Sequence, residues 1–466
     1  MLNLTLGSYA RLCSGWTRRD LLRVGGSSYL GLSLVDMLRA QEADAAAGVK
    51  RPSSEKNCIL LMLIGAPSQN DTWDPHPDAP PEIRGPFKPI ETNVKGIQIS
   101  EILPLTAQHA DKYAILRSLG HSNAADHETG HQVMHTGHFF PDGLDFPHMG
   151  SVVSYVRGDK DGMPANMTLP TLINNTGTSK PKGQDSGYLS RAHTPFVLNS
   201  DPSKATFRGP DLSPQPGTNL TDIRVDRRKG LRGVVDQAMA SLEADRNVAA
   251  YDAGFQKAFG LIGSTKLREA FDINKETDKV RDRYGRTTFG QSCLLARRLI
   301  ERGVRFVDVN MFDTVFGILC WDCHADGGSL FTTVQQLQND VAPIFDKAYS
   351  ALLEDLTQRG LYEDTVVCAF GEFGRSPQMN ARGGRDHWPQ CWSVALGGGG
   401  IRGGQVIGAS DAQGAYPKDR PINPPMVAAT VYKALGIDPH DTDLPGPADR
   451  PLPIIDREIP LIHELL

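Results

Sequence analysis

The sequence predicts an α/β protein built on a doubly wound, mostly parallel sheet. Short, nearly continuous apolar runs recur at Asn57–Ile64, Tyr113–Leu119, Val304–Val309, Thr365–Phe370 and Cys391–Leu396, the pattern of strands buried on both faces. Between them lie helical patterns, Phe289–Arg302 before Gly303 and Leu330–Arg359 before Gly360, each apolar on one stripe and closed by glycine. Strands that alternate with helices pair in parallel, because each crossover helix covers a sheet face.

The N-terminal residues stand apart from this pattern. Thr17-Arg18-Arg19-Asp20-Leu21-Leu22 precedes a mildly apolar stretch, Val24–Leu38, and then Ala45-Ala46-Ala47, the order of a charged region, an apolar region and a small-residue cleavage site. The paired arginines resemble the twin-arginine export signal. Residues 1–47 are therefore expected to engage the twin-arginine translocase and to be removed, leaving residues 48–466 in the periplasm or outside the cell. Asp36 and Arg39 interrupt the apolar stretch, so no membrane span is expected. A net charge of -5, from 49 Lys and Arg against 54 Asp and Glu, offers no basic field for nucleic acid. The 7 cysteines are too scattered for a disulfide framework.

Taken in order, the first strand opens into Gly65–Pro75, where Asp71 and Asp74 are candidate oxygen ligands or turn formers. After Tyr113–Leu119 come His121, His127, His131, His135 and His138. Spacing of four puts His127, His131 and His135 on one helical face, with Asp126, Glu128 and Thr129 at its start. Residues 158–224 are rich in Pro, Gly, Asn and Ser and read as a loop-rich cap insertion. Arg227–Leu261 and Lys266–Asp272 look helical. Past Val304–Val309, Asp322 and His324 sit in one polar loop, where both can face one ion. The Thr365 strand stops at Gly371-Glu372-Phe373-Gly374-Arg375, and Gly383-Gly384-Arg385-Asp386-His387-Trp388 precedes the Cys391 strand. Clustered polar groups at strand ends mark the edge where open α/β sheets bind ligands.

Together, TRRDLLRVGG, GAPSQNDTWDP, GQSCLLARRLIERGVRFV, WDCH, GEFGRSP, GGRDHWP and GGGGIRGGQVIGASDAQGAYP closely resemble the bacterial domain-of-unknown-function family 1501, over nearly the whole chain. That family resembles a branch of the alkaline phosphatase and sulfatase superfamily. The resemblance implies a three-layer α/β/α sandwich holding one or two divalent metal ions (Zn, Ca, Mg or Mn). It also implies that Asp322, His324, Glu372 and His387 are metal ligands. Two features depart from the superfamily pattern. Gly65-Ala66 stands where an aspartate usually follows the first strand, and His127 falls near the place of the nucleophile, with Thr129 the nearest hydroxyl.

The function expected is an exported, metal-dependent hydrolase of phosphate or sulfate esters, acting on a small anionic ester or a sulfated or phosphorylated glycan. Asp71, Asp74, Asp322, His324, Glu372, Asp386 and His387 are the candidate ligands. Arg375 or Arg385 would hold the anion, Thr129 would attack, and His127 or His131 would move the proton. The alternative is a non-catalytic exported protein that binds an anionic glycan or a partner. Replacing Arg18 and Arg19 by lysine is expected to leave unprocessed protein in the cytoplasm, read by fractionation and immunoblot; normal processing of that variant would refute the export signal.

Overall fold

A computed structural model of the 466-residue chain describes residues 55–140, 143–209, 265–447 and 450–466. The export segment and the helix expected over Arg227–Leu261 lie outside the described residues.

Eight strands form the central sheet: β1 Asn57–Met62, β2 Tyr113–Leu119, β3 Asn166–Leu169, β4 Phe196–Val197, β5 Phe306–Asn310, β6 Thr365–Phe370, β7 Trp392–Gly398 and β8 Gln405–Ile407. Their order across the sheet is β8-β2-β7-β6-β1-β5-β3-β4. Only β7 runs against its neighbours, pairing antiparallel with both β2 and β6, while the other pairs are parallel. The sheet is therefore parallel but for one strand.

Side-chain alternation along each strand divides the interior into two layers. Ile59, Leu61, Val307, Val309, Val367 and Ala369 pack into the core that holds the helices Thr288–Glu301 and Ala342–Gln358. Leu60, Met62, Phe306, Val366, Cys368 and Phe370 pack into the opposite core, beneath the helices His127–Thr136 (α1), Met149–Arg157 (α2) and Pro424–Ala434. Helices on both faces of the sheet make the three-layer α/β/α sandwich.

Three local features differ from the sequence expectation. The stretch read as loop from residue 158 contributes β3 and β4, too short at four and two residues to show a periodic pattern. Gln405–Ile407 adds the edge strand β8. The helix expected from Leu330 starts at Val334, where Thr333 and Gln336 form a reciprocal cap. It then widens over Leu337–Val341 before the regular helix begins at Ala342. Pro343 brings no backbone N–H, which fits a wider turn just before it.

The loop after β1 is anchored by Trp73, 2% exposed. Its ring meets Tyr113, Phe345 and Tyr349 edge-on at centroid distances of 5.6, 6.0 and 6.4 Å. Trp73→Ala is expected to destabilise the protein by about 3–5 kcal/mol, read by urea denaturation; a loss under about 1 kcal/mol would show that the ring is not a core anchor.

Candidate functional site

Parallel strands place all their carboxyl ends along one edge. The loops that follow β1, β2, β5 and β6 therefore meet, and the residues that precede the antiparallel β7 join them from the opposite direction. The approach is close enough to require glycine at Gly65, whose φ is +99° and where a Cβ would lie 2.4 Å from the backbone nitrogen of Asp322. Gly130 serves the same purpose on α1, since a Cβ there would stand 2.8 Å from the carbonyl oxygen of Glu372.

Asp322 is the centre of the resulting cluster and is fully buried. His127 Nε2 lies 3.2 Å from its Oδ2, while His324 Nε2 and His387 Nε2 lie 3.3 and 3.7 Å from its Oδ1. Each of these imidazoles is fixed through its other nitrogen. His127 Nδ1 meets Glu372 Oε1 at 2.5 Å, His324 Nδ1 meets Asp386 Oδ1 at 3.1 Å, and His387 Nδ1 meets the Ala125 carbonyl at 2.7 Å. A carbonyl or carboxylate can only accept, so Nδ1 carries a proton in all three rings and Nε2 is the nitrogen left to ligate. Glu372 is held in turn by the backbone N–H groups of Gly65 and Ala66, at 2.9 and 3.2 Å. His127, Asp322 and His387 offer ligand atoms that lie within 4.8 Å of one another, with His324 beside them at Asp322 Oδ1, and imidazole nitrogens with a carboxylate suit a nitrogen-preferring divalent ion such as zinc better than calcium or magnesium. His387 Nε2 has no hydrogen-bond partner, which also fits an ion, while Asp322 Oδ1 is ion-paired with Arg375.

The electrostatics follow from burial against pairing. Burial disfavours charge on His127, yet its bonds to Asp322 and Glu372 outweigh that cost and raise its pKa to about 9. Burial alone would also raise the Glu372 carboxyl, but the neighbouring His131 and His127 outweigh it and bring Glu372 down to about 2. Asp322 lies well below the usual carboxylate range, as Arg375, His127 and His387 overcome its burial. His131 and His387 go the other way, burial lowering them to about 3 and about 4. His131 is completely enclosed, with its Nε2 3.7 Å from Glu372.

The remaining candidates lie elsewhere or are committed to other work. Asp71, expected as a ligand, accepts two bonds from Arg385 at 2.7 and 3.2 Å in a fully buried pair. Asp74 is taken by Ser410 at 2.5 Å, Arg117 at 3.2 Å and His76 at 3.3 Å. Both acids are structural ion-pair partners in this arrangement, because each loop cation reaches them before the cluster does. Arg385, expected to hold an anion, spends its other donors on the carbonyls of Ser376, Pro377 and Ile83. Arg375 pairs with Asp322 and donates to Gly65, Ala66 and Arg385 carbonyls. Thr129 donates its hydroxyl to Asp126, the cap of α1, at 3.0 Å, and stands off the face that carries His127 and His131. Glu372, expected as a ligand, meets His127 Nδ1 and also forms, with His127 and His131, a group whose ligand atoms lie within 4.8 Å of one another, and Asp386, also expected as a ligand, meets His324 Nδ1. Cys320 and Cys323 are buried free thiols.

One group escaped the sequence reading. Asp308 on β5, His135 on α1 and His148 at the start of α2 form a second buried cluster, with both histidine Nε2 atoms 3.6 Å from Asp308 Oδ2. The signal for it was Asp308, a carboxylate between the apolar residues Val307 and Val309 of a buried strand.

The chain matches, over residues 55–466, the model of the family described as Protein of unknown function (DUF1501), and it belongs to that family. None of the curated proteins matches it by sequence. Among solved structures it is similar to a sulfatase from Pseudoalteromonas sp., at 12% identity, a TM-score of 0.38, and coverage of 85% of this chain and 70% of the other. It is similar also to a Bacteroides thetaiotaomicron protein described under the metabolism of multiple glycosaminoglycans, at 12% identity, a TM-score of 0.38, and coverage of 82% and 73%. A phosphonate monoester hydrolase from Silicibacter pomeroyi follows at 10% identity, a TM-score of 0.33, and coverage of 82% and 73%. Likeness at this level leaves the reaction to be argued from the site.

The buried imidazoles predict how the ion-free protein responds to acid. His131, His135 and His387 are lowered to about 3, 4 and 4 from an unfolded value of about 6.5. Between those limits the unfolded chain holds more protons, so stability is full above pH ~6.5 and falls as pH drops toward ~4, by about 1.4 kcal/mol per pH unit for each such proton. His127 has the opposite sign, and its contribution is lost as pH rises through about 9. Denaturant titrations in chelator across this range check both limbs; stability that is flat from pH 6.5 to 4 would mean that these rings are charged in the folded protein.

Proposed function

We propose that this member of the family is an exported, metal-dependent hydrolase of phosphate or sulfate esters. The observation that carries the proposal is the convergence of His127, His324 and His387 on Asp322 through Nε2, with every Nδ1 already anchored. An ion bound there would supply positive charge to neutralise the ester oxygens and would bring a water within reach of ionisation near neutral pH.

The chain's own groups then have defined work. Glu372 fixes the tautomer and tilt of His127, Asp386 does so for His324, and the Ala125 carbonyl does so for His387. Arg375 pins Asp322. Because Arg375 and Arg385 are both buried and committed, neither is free to clasp the substrate anion, and that task falls to the ion site itself. With the Thr129 hydroxyl bonded to Asp126, the nucleophile favoured is water rather than a side chain. Among the described residues, none of the cluster's own side chains bears a hydroxyl, which also supports the second reading, a binding protein that keeps the ion but does not turn over an ester.

Purified protein is expected to carry about one equivalent of zinc by elemental analysis and to hydrolyse p-nitrophenyl phosphate or sulfate, with activity lost to chelator and restored by zinc. Asp322→Asn should lose the ion. Glu372→Gln should keep the fold and weaken zinc binding by about ten- to a hundredfold, the usual effect of removing a group that orients a ligand. Stoichiometric zinc with no turnover of either ester would favour the binding protein, and no zinc at all would refute both readings.

A further inference from the structure

A crevice of about 490 Å³ opens onto His127 and His387. One wall is the start of α1, with Asp126 and Glu128. The other is the loop of Thr176, Gly177, Thr178 and Ser179. The two walls are tied together, because Glu128 Oε1 accepts the backbone N–H groups of Thr178 and Ser179 at 2.6 and 3.0 Å. The contact is close, since a Cβ on Gly177 would stand 2.3 Å from Glu128 Oε2. Thr176 is 2% exposed, and its Oγ1 has no hydrogen-bond partner although the residue lines the crevice. A buried hydroxyl left unpaired is costly, and a ligand hydroxyl would satisfy it.

Charge decides what the rest of a substrate can be. Among the described residues, no lysine or arginine lines the crevice, and the ionisable wall groups outside the cluster are the acids Asp126 and Glu128. Lys180, the residue after Ser179, is exposed and outside the crevice lining, and Lys182 is paired with Asp145 at 2.7 Å. A second sulfate or phosphate held inside the crevice would meet no lysine or arginine and would face two carboxylates. Serine and threonine hydroxyls, which both donate and accept, instead match the hydroxyls of a sugar or polyol.

We propose that the crevice selects monoesters of neutral, polyhydroxylated alcohols, with Glu128 a positioning residue that holds the Thr176–Ser179 wall, and that it discriminates against substrates carrying a second anionic group. This rests on the ion-dependent site described above. It narrows the sequence expectation of a small anionic ester or a sulfated or phosphorylated glycan.

The test is calorimetric binding to the zinc-loaded protein of glucose 6-sulfate and glucose 6-phosphate, each against its bis-ester, with turnover of p-nitrophenyl esters measured in parallel. The monoester of at least one series is expected to bind about tenfold or more tightly than its bis-ester. Ser179→Arg, an exposed change, is expected to raise bis-ester affinity about tenfold, and Thr176→Val to weaken monoester binding about tenfold with zinc content retained. Equal or tighter binding of the bis-esters, or no binding of any of the sugars, overturns the inference. Selective monoester binding without turnover of any ester would instead overturn hydrolysis and leave this selectivity standing.

Discussion

The site depends on one buried carboxylate. Asp322 is completely enclosed, and a charge in that position is tolerated only when it is matched and hydrogen-bonded. Arg375 supplies one cation, and His127 supplies a second when it is protonated. The same pairing accounts for the conformation around it. Gly65 must be glycine because the first strand's loop runs against the Asp322 backbone, and that contact delivers the Gly65 and Ala66 N–H groups to Glu372. Glu372 then fixes His127, and His127 returns to Asp322. The loop of four contacts closes on itself, so its members are expected to act as a unit rather than additively.

Sheet topology explains why residues from distant parts of the chain can form this unit. His127 follows β2, Asp322 and His324 follow β5, and Glu372 follows β6, all at carboxyl ends of parallel strands. His387 precedes β7, and it reaches the same edge because β7 is the one reversed strand. A parallel β7 would have carried His387 to the far side of the sheet. The exception to the parallel pattern is thus what brings His387 into the cluster.

Much of this was legible in the sequence. Buried strands announce themselves as uninterrupted apolar runs, and the loops with Asp322, His324, Glu372 and His387 stood at their ends. The helical spacing of His127 and His131 put both on the cluster's side. What was not legible was partner choice. Asp71 and Asp74 look like loop ligands until Arg385 and Arg117, far away in sequence, are seen to reach them. Arg385 looked like an anion clasp for the same reason. Glu372 and Asp386 carry ligating atoms, and only geometry shows that these atoms are turned toward histidine nitrogens. The strands β3 and β4 were passed over because residues so few carry no periodicity.

The second buried cluster shows that proximity of imidazoles and a carboxylate does not by itself make an ion site. His135 Nδ1 meets the His131 carbonyl at 3.0 Å, so its proton sits there and Nε2 is an acceptor. His148 Nδ1, however, accepts the Gly150 N–H at 2.9 Å to cap α2. In a neutral ring the proton is then on Nε2, the atom that faces Asp308. One donor and two acceptors therefore point at the space between the three side chains, where a cation needs acceptors alone. At 3.6 Å the groups are too far apart to bond directly, and a mixed set of donor and acceptors matches a small polar neighbour better than a cation. In the first cluster the anchored Nδ1 atoms of His127, His324 and His387 are all donors, which leaves each Nε2 able to accept once His127 gives up its second proton, so the tautomers, more than the distances, set the two clusters apart.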